Sequence, residues 1–202
     1  MERTAHFESF LGYWGRTEET ALLETAIDLD AATIIMDAEN AERAAEGYIP
    51  GFTVYTDGSR TEKGAAGYSV VWRKGQSWKR LKVHMGYNQK AYGAECAAIA
   101  RALETAASRA KQRKLGAVTT FTDAQVAITR LTSDEPGPGQ MHPIAARKHL
   151  SNLRRREPEI NVEIRWCPSH EGIEGNEIVD GWAKQAADEP DEHGVGWLNY
   201  SD

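Results

Sequence analysis

The sequence predicts a mixed α/β fold: a five-stranded sheet, made of an antiparallel meander extended by parallel strands and flanked by helices, behind an acidic helical N-terminal extension. Three observations predict it. Three strand patterns between Gly51 and Met85 follow one another with only turn-length gaps. Two further β-runs, Ala117 to Thr122 and Asn161 to Cys167, are set off by helix-length segments, and strands joined through helices run parallel with right-handed crossovers. The chain has 202 residues and is 41% hydrophobic, enough for one ample core.

The elements follow in order. In residues 1–50, Thr17 caps a helix with Glu18 and Glu19 in its first turn and Leu22, Leu23, Ala26 and Ile27 on one face. A second acidic helix is expected after Asp37, through Glu46. Phe7, Phe10, Leu11, Tyr13 and Trp14 offer too much apolar surface for a free tail and are expected to pack on something. Gly47 to Pro50 punctuates the join.

The first central strand lies in GFTVYTDGS, residues 51–59, and is expected to stop at Asp57 in an Asp-Gly-Ser turn. Gly64 to Trp72 and Trp78 to Met85 form a hairpin about Lys74-Gly75-Gln76. Tyr92 to Ala110 is an alanine-rich helix, and Ala117 to Thr122 a short buried strand. A helix follows Asp123 through Leu131, and SDEPGPGQ, residues 133–140, is a loop because of its prolines and glycines. Pro143 to Arg156 is a helix ending in three arginines, Asn161 to Cys167 alternates as a strand, and Glu174 to Ala187 closes as a helix. Residues 188–202 are an acidic tail.

The net charge of -6 conceals a partition. Residues 51–187 hold 21 lysines and arginines against 14 acids, whereas residues 1–50 hold 3 against 11 and residues 188–202 hold none against 5. A basic centre between acidic ends points to an anionic partner, nucleic acid before others. The acidic ends could also fold back on that basic face and occlude substrate. Cys96 and Cys167 have neither CxxC nor zinc spacing and suit a reducing compartment as small buried hydrophobes. The most apolar short stretch, Ala31 to Met36, is far too short to cross a bilayer, so the expected setting is cytoplasmic or nuclear, with no membrane.

Four acids carry the chemistry. In VYTDGS and TFTDAQ an apolar β-run ends in Thr-Asp, so Asp57 and Asp123 stand side by side if their strands are neighbours. Ligands of α/β sheets gather at such carboxyl ends. Glu95 lies near the start of the alanine-rich helix and Asp180 on the last helix. Taken singly each is an ordinary polar residue, but four clustered carboxylates repel unless cations sit among them, and oxygen ligands suit Mg²⁺ or Mn²⁺.

The segments YTDGS, AYGAECAAIARAL, FTDAQVAI and WCPSHEGIEGNEIVDGWAKQAA fall in the order and spacing of the ribonuclease H family. The last resembles the RNase H domains of non-LTR retrotransposon polyproteins, fungal ones included. The resemblance covers about residues 51–187 and implies a ribonuclease H-like fold. Position by position it makes Asp57, Glu95, Asp123 and Asp180 metal-binding catalytic acids and His170 the mobile catalytic histidine. The family's substrate-contacting turn falls on Gly58-Ser59 and its amide on Gln125. Ser169, Val179 and Gly181-Trp182 depart from the family pattern, but none removes a ligand. The basic, tryptophan-rich protrusion of some cellular relatives has no counterpart, which implies weaker substrate affinity unless Arg154 to Arg156 or a reverse transcriptase domain of the same polyprotein compensates.

The reaction so implied is hydrolysis of the RNA strand of an RNA/DNA hybrid by two Mg²⁺ ions, leaving 5′-phosphate and 3′-hydroxyl ends. RNA would be chosen through its 2′-hydroxyls, contacted by Gly58, Ser59 and Gln125. Trp72, Trp78, Trp166 and Trp182 read first as core aromatics and second as stacking platforms. Lys82, Lys90, Arg147 and Lys148 are candidate phosphate contacts. Two alternatives stand: a nuclease of the same fold with another substrate, and a binding module that retains the fold without turnover.

Overall fold

The strand-forming runs assemble into one six-stranded sheet because each shows an apolar face to helices on one side or the other. The computed structural model describes residues 32–36, 49–133 and 139–189. Its strands are β1 (Thr33–Ile35), β2 (Phe52–Arg60), β3 (Ala65–Lys74), β4 (Ser77–Tyr87), β5 (Ala117–Thr122) and β6 (Asn161–Trp166). The helices are α1 (Ala91–Ala110), α2 (Gln125–Leu131), α3 (Met141–Arg156) and α4 (Glu174–Asp188). Strand order is β1-β6-β5-β2-β3-β4. The meander β2, β3, β4 is antiparallel, while β1, β6, β5 and β2 run parallel to their neighbours.

The sheet has six strands rather than the expected five. Thr33–Ile35 pairs with Glu163, Ile164 and Arg165 of β6, and three residues in an acidic stretch without a strand pattern become a strand because that edge is there to receive them. A second correction concerns Asp57-Gly58-Ser59. These residues continue β2 as far as Arg60, opposite Ser69, Tyr68 and Gly67 of β3, so ladder pairing overrides the local turn preference. The helices expected within residues 17–27 and 38–46, the aromatic cluster before them, most of the SDEPGPGQ loop and nearly all of the acidic tail lie outside the described residues.

The β3–β4 hairpin turns through Gly75-Gln76, with Gly75 at φ 63°, a left-handed conformation that side chains resist. Alternation along β2 sends Phe52 and Val54 to one face and Tyr55 to the other. On the first face they meet Ile99 and Leu103 of α1, Ile128 of α2, Leu150 and Leu153 of α3, and Ile164 of β6. The long run of buried alanines in α1 lets that helix lie close against the strands. On the second face Tyr55, Val71, Phe121, Cys167, Ile173 and Val179 form a smaller core under α4.

Several contacts hold α4 to this face. Gly67 of β3 has no side chain where a Cβ would lie 2.4 Å from the Ala186 carbonyl carbon. Glu174 accepts hydrogen bonds from Trp78 Nε1 at 3.0 Å and Arg73 Nη2 at 2.6 Å, and the Arg80 guanidinium lies 3.6 Å over the Trp182 ring. Cys96 and Cys167 are both free and buried. No helix among the described residues is long and apolar enough to cross a membrane.

Candidate active site

Parallel pairing of β2 with β5 brings the two Thr-Asp endings together. Thr56 pairs with Thr122, so Asp57 and Asp123 are each the next residue along neighbouring strands. Tyr55 and Phe121, two residues earlier, stack at 5.0 Å on the α4 side, and the period of two puts both aspartates on that same side. The acids stand together because two aromatic residues beneath them pack together. Asp57 is 6% exposed.

Glu95 arrives from the other layer. It sits in the second turn of α1, and its Oε2 accepts the Gly58 N–H at 2.9 Å. Gly58 makes this approach possible: a Cβ there would lie 2.4 Å from the Glu95 nitrogen and 2.5 Å from the Ala94 carbonyl carbon. Both atoms belong to the Ala94–Glu95 peptide bond, helix backbone that cannot swing aside. Gly58→Ala is therefore expected to cost roughly 1–3 kcal/mol in chemical unfolding and to move Glu95 away from the aspartates. A variant with unchanged unfolding midpoint would contradict the close packing described here.

Asp57, Glu95 and Asp123 each offer an oxygen within 4.8 Å of the others. Burial first, then the charges of Asp123 and Asp180, push the Asp57 carboxyl well above the usual carboxylate range, to about 7. Burial, then Asp57 and Asp123, push Glu95 up further still, against the opposing Gly58 N–H. Asp123 is raised as well, by burial and by Asp180, with its own backbone, His170 and Lys184 opposing. A partly buried triad of acids that resist ionising together favours added positive charge, and its oxygen-only donor set fits a hard divalent cation.

Asp180 stands outside the triad. Its Oδ2 accepts a hydrogen bond from Lys184 Nζ at 2.7 Å, yet its charge reaches both aspartates. His170 is exposed, in a turn between β6 and α4 with φ 60°, and its charge acts on Asp123. Gln125 is exposed at the first position of α2, beside Asp123, and Ser59 is half-buried in β2.

Two further residues shape the site. Trp166 Nε1 donates to the Asp123 carbonyl at 3.1 Å, fixing the backbone that carries this acid. Lys184 neutralises Asp180; its spacing of four from that acid is the helical ion-pair pattern and could have been read from the sequence. The role of Trp166 has no sequence signal, since it depends on β6 lying beside β5. Among the candidate phosphate contacts, Arg147 is corrected: it is 5% exposed and donates to the Leu131 and Ser133 carbonyls at 2.9 and 2.7 Å, so it ties α3 to the end of α2. Lys82 is held by Glu189 at 3.2 Å, and Lys90 and Lys148 are exposed. Trp72 is a core residue, whereas Trp78, Trp166 and Trp182 are half-buried and engaged with protein groups.

Residues 50–188 match the family model for RNase H. The chain belongs to the RNase H family. Ribonuclease H of Chromohalobacter salexigens is 28% identical over 156 residues, which cover 72% of this chain and 89% of that protein. Among solved structures, the N-terminal RNase H domain of a Mycobacterium tuberculosis protein shares the fold with a TM-score of 0.54 at 17% identity, covering 67% of this chain and 98% of that one. LC11-RNase H1, solved in complex with an RNA/DNA hybrid, also gives 0.54 at 21% identity, covering 68% and 96%. This RNase H is thus a hydrolase of the ribonuclease H type, with an acidic triad able to bind metal, drawn from β2, the end of β5 and the start of α1.

Proposed function

We propose that this RNase H is an endonuclease that hydrolyses the RNA strand of RNA/DNA hybrids, leaving 5′-phosphate and 3′-hydroxyl ends, in the reverse transcription of a retroelement. The observation that carries the reading is the convergence of Asp57, Glu95 and Asp123, three separated acids in family-motif positions, within 4.8 Å. LC11-RNase H1 in its complex with hybrid supports the substrate class. The retroelement setting, and with it a reverse transcriptase domain as partner, is supported by the likeness of residues 166–187 to polyprotein RNase H domains.

Asp57, Glu95, Asp123 and Asp180 would hold two Mg²⁺ ions, with Mn²⁺ as a substitute. When bound, the ions supply a hydroxide-like nucleophile and stabilise charge on the leaving oxygen. The protein's own groups do the rest. Trp166 and Gly58 hold Asp123 and Glu95 in register through their N–H groups. His170, exposed and near enough for its charge to act on Asp123, moves a proton or speeds product release. Gly58 and Ser59, on β2, and Gln125, beside Asp123, contact the 2′-hydroxyls that mark the RNA strand. A setting in the cytoplasm or nucleus fits this role.

The test is strand preference. Hybrid, double-stranded RNA and double-stranded DNA, labelled on each strand in turn, should show cutting of the RNA strand of the hybrid alone. Comparable cutting of either other duplex would favour a same-fold nuclease with another substrate. Tight binding without turnover would favour a binding module.

A further inference from the structure

The described residues place a concentration of positive charge at the end of β5 away from the carboxylates. Lys111, Arg113 and Lys114 follow α1, and Arg155 and Arg156 end α3; all five are exposed. The two runs are locked side by side. Glu157, next to Arg156, accepts the Leu115 N–H at 3.2 Å and the Gly116 N–H at 3.4 Å, so Lys114 and Arg156 flank one hydrogen-bonded junction.

Part of this charge has a structural explanation, since cations at helix C-termini complement the macrodipole and the last carbonyls. Arg154 also donates to the Pro158 carbonyl, beyond the helix end, at 3.1 Å, and Arg155 to the Asn152 side chain at 2.7 Å. Lys111, Arg113, Lys114 and Arg156 make no ion pair among the described residues. The acids next in sequence leave the charge standing: Glu157 is turned onto backbone N–H groups, and Glu159 is exposed.

We propose that this patch is a second nucleic-acid contact surface, which takes the phosphate backbone of a stretch continuing beyond the duplex held at the active site. Its place in the fold supports the separation. The patch adjoins Gly116, just before β5, and Asp123 follows the other end of that six-residue strand, about 20 Å away at 3.3 Å per residue. For a duplex whose axis follows the β5 direction, a hybrid of about 10 base pairs centred on the carboxylates extends about 17 Å to either side, at 3.4 Å per pair, and ends before the patch, whereas a longer hybrid passes over it. Binding of this kind is independent of base sequence and steeply dependent on salt. The proposal rests on nucleic acid being the substrate, and its readout is binding, so it is judged separately from cleavage.

The experiment compares the protein carrying Asp123→Asn, which keeps hybrids intact, with the same protein carrying in addition Arg113→Gln, Lys114→Gln, Arg155→Gln and Arg156→Gln. Affinity is read by fluorescence anisotropy across a salt series, on hybrids of about 10 and about 40 base pairs. The four glutamines are expected to lower affinity for the long hybrid at least about tenfold and to reduce its log-affinity slope on log salt by up to about 3, leaving the short hybrid unchanged. Matching thermal melts establish that the fold survives. An unchanged slope on the long hybrid would overturn the proposal, and so would an equal loss on both lengths.

Discussion

Asp57→Asn is expected to reduce cleavage at least about a hundredfold and, at the same time, to make the metal-free protein more stable. The two effects share one cause. Asp57 is nearly sealed from solvent, sits within 4.8 Å of Glu95 and Asp123, and is penalised as an anion by burial and by its neighbours. An isosteric amide keeps the shape and removes one of the three repelling charges, so folding gains what metal binding loses. A rise of several degrees in the metal-free melting temperature, together with lost cleavage, is the expected pair of results. Lost cleavage with lower stability would instead mean that the Asp57 carboxylate holds the fold together.

The second large effect is a pH dependence whose sign follows from the same carboxyls. Asp57 is raised to about 7 and Glu95 is raised further, so the folded protein retains protons that the unfolded chain has released near pH 4. Between those values the native state binds more protons, and stability falls as pH rises; below the unfolded value the penalty vanishes, and above the folded value it is complete. Metal-free protein should therefore melt at a lower temperature at about pH 8 than at about pH 5.5. Added Mg²⁺ should raise the melting temperature more at the higher pH, where the cluster has lost more of its protons and carries more charge. A melting temperature that climbs with pH without metal, or a Mg²⁺ increment equal at both values, would contradict this electrostatic account.

The parts of the fold that local pattern controls were legible in the sequence. Ala117–Thr122 stands where the β-run put it, and the twin Thr-Asp endings fall on adjacent parallel strands. What pairing alone decides was not. Thr33–Ile35 has no strand signature until β6 presents an edge, and Asp57-Gly58-Ser59 reads as a turn unless β3 is known to lie opposite. Gly58 has a reason different from the one its neighbours suggest: it makes room for Glu95 rather than turning the chain. Arg147 looked like a surface cation because its sequence carries no sign that the end of α2 would need its guanidinium. Of the four acids singled out, the structure gathers three and leaves Asp180 paired with Lys184, a distinction that depends on where α4 lies across the sheet.

The most direct test of the central claim is cleavage of a strand-labelled RNA/DNA hybrid with and without Mg²⁺, by wild type and by Asp123→Asn. The account predicts metal-dependent cutting of the RNA strand alone, abolished by the substitution. Wild-type cutting that persists without divalent metal, or an Asp123→Asn protein that cuts at the wild-type rate, would contradict it.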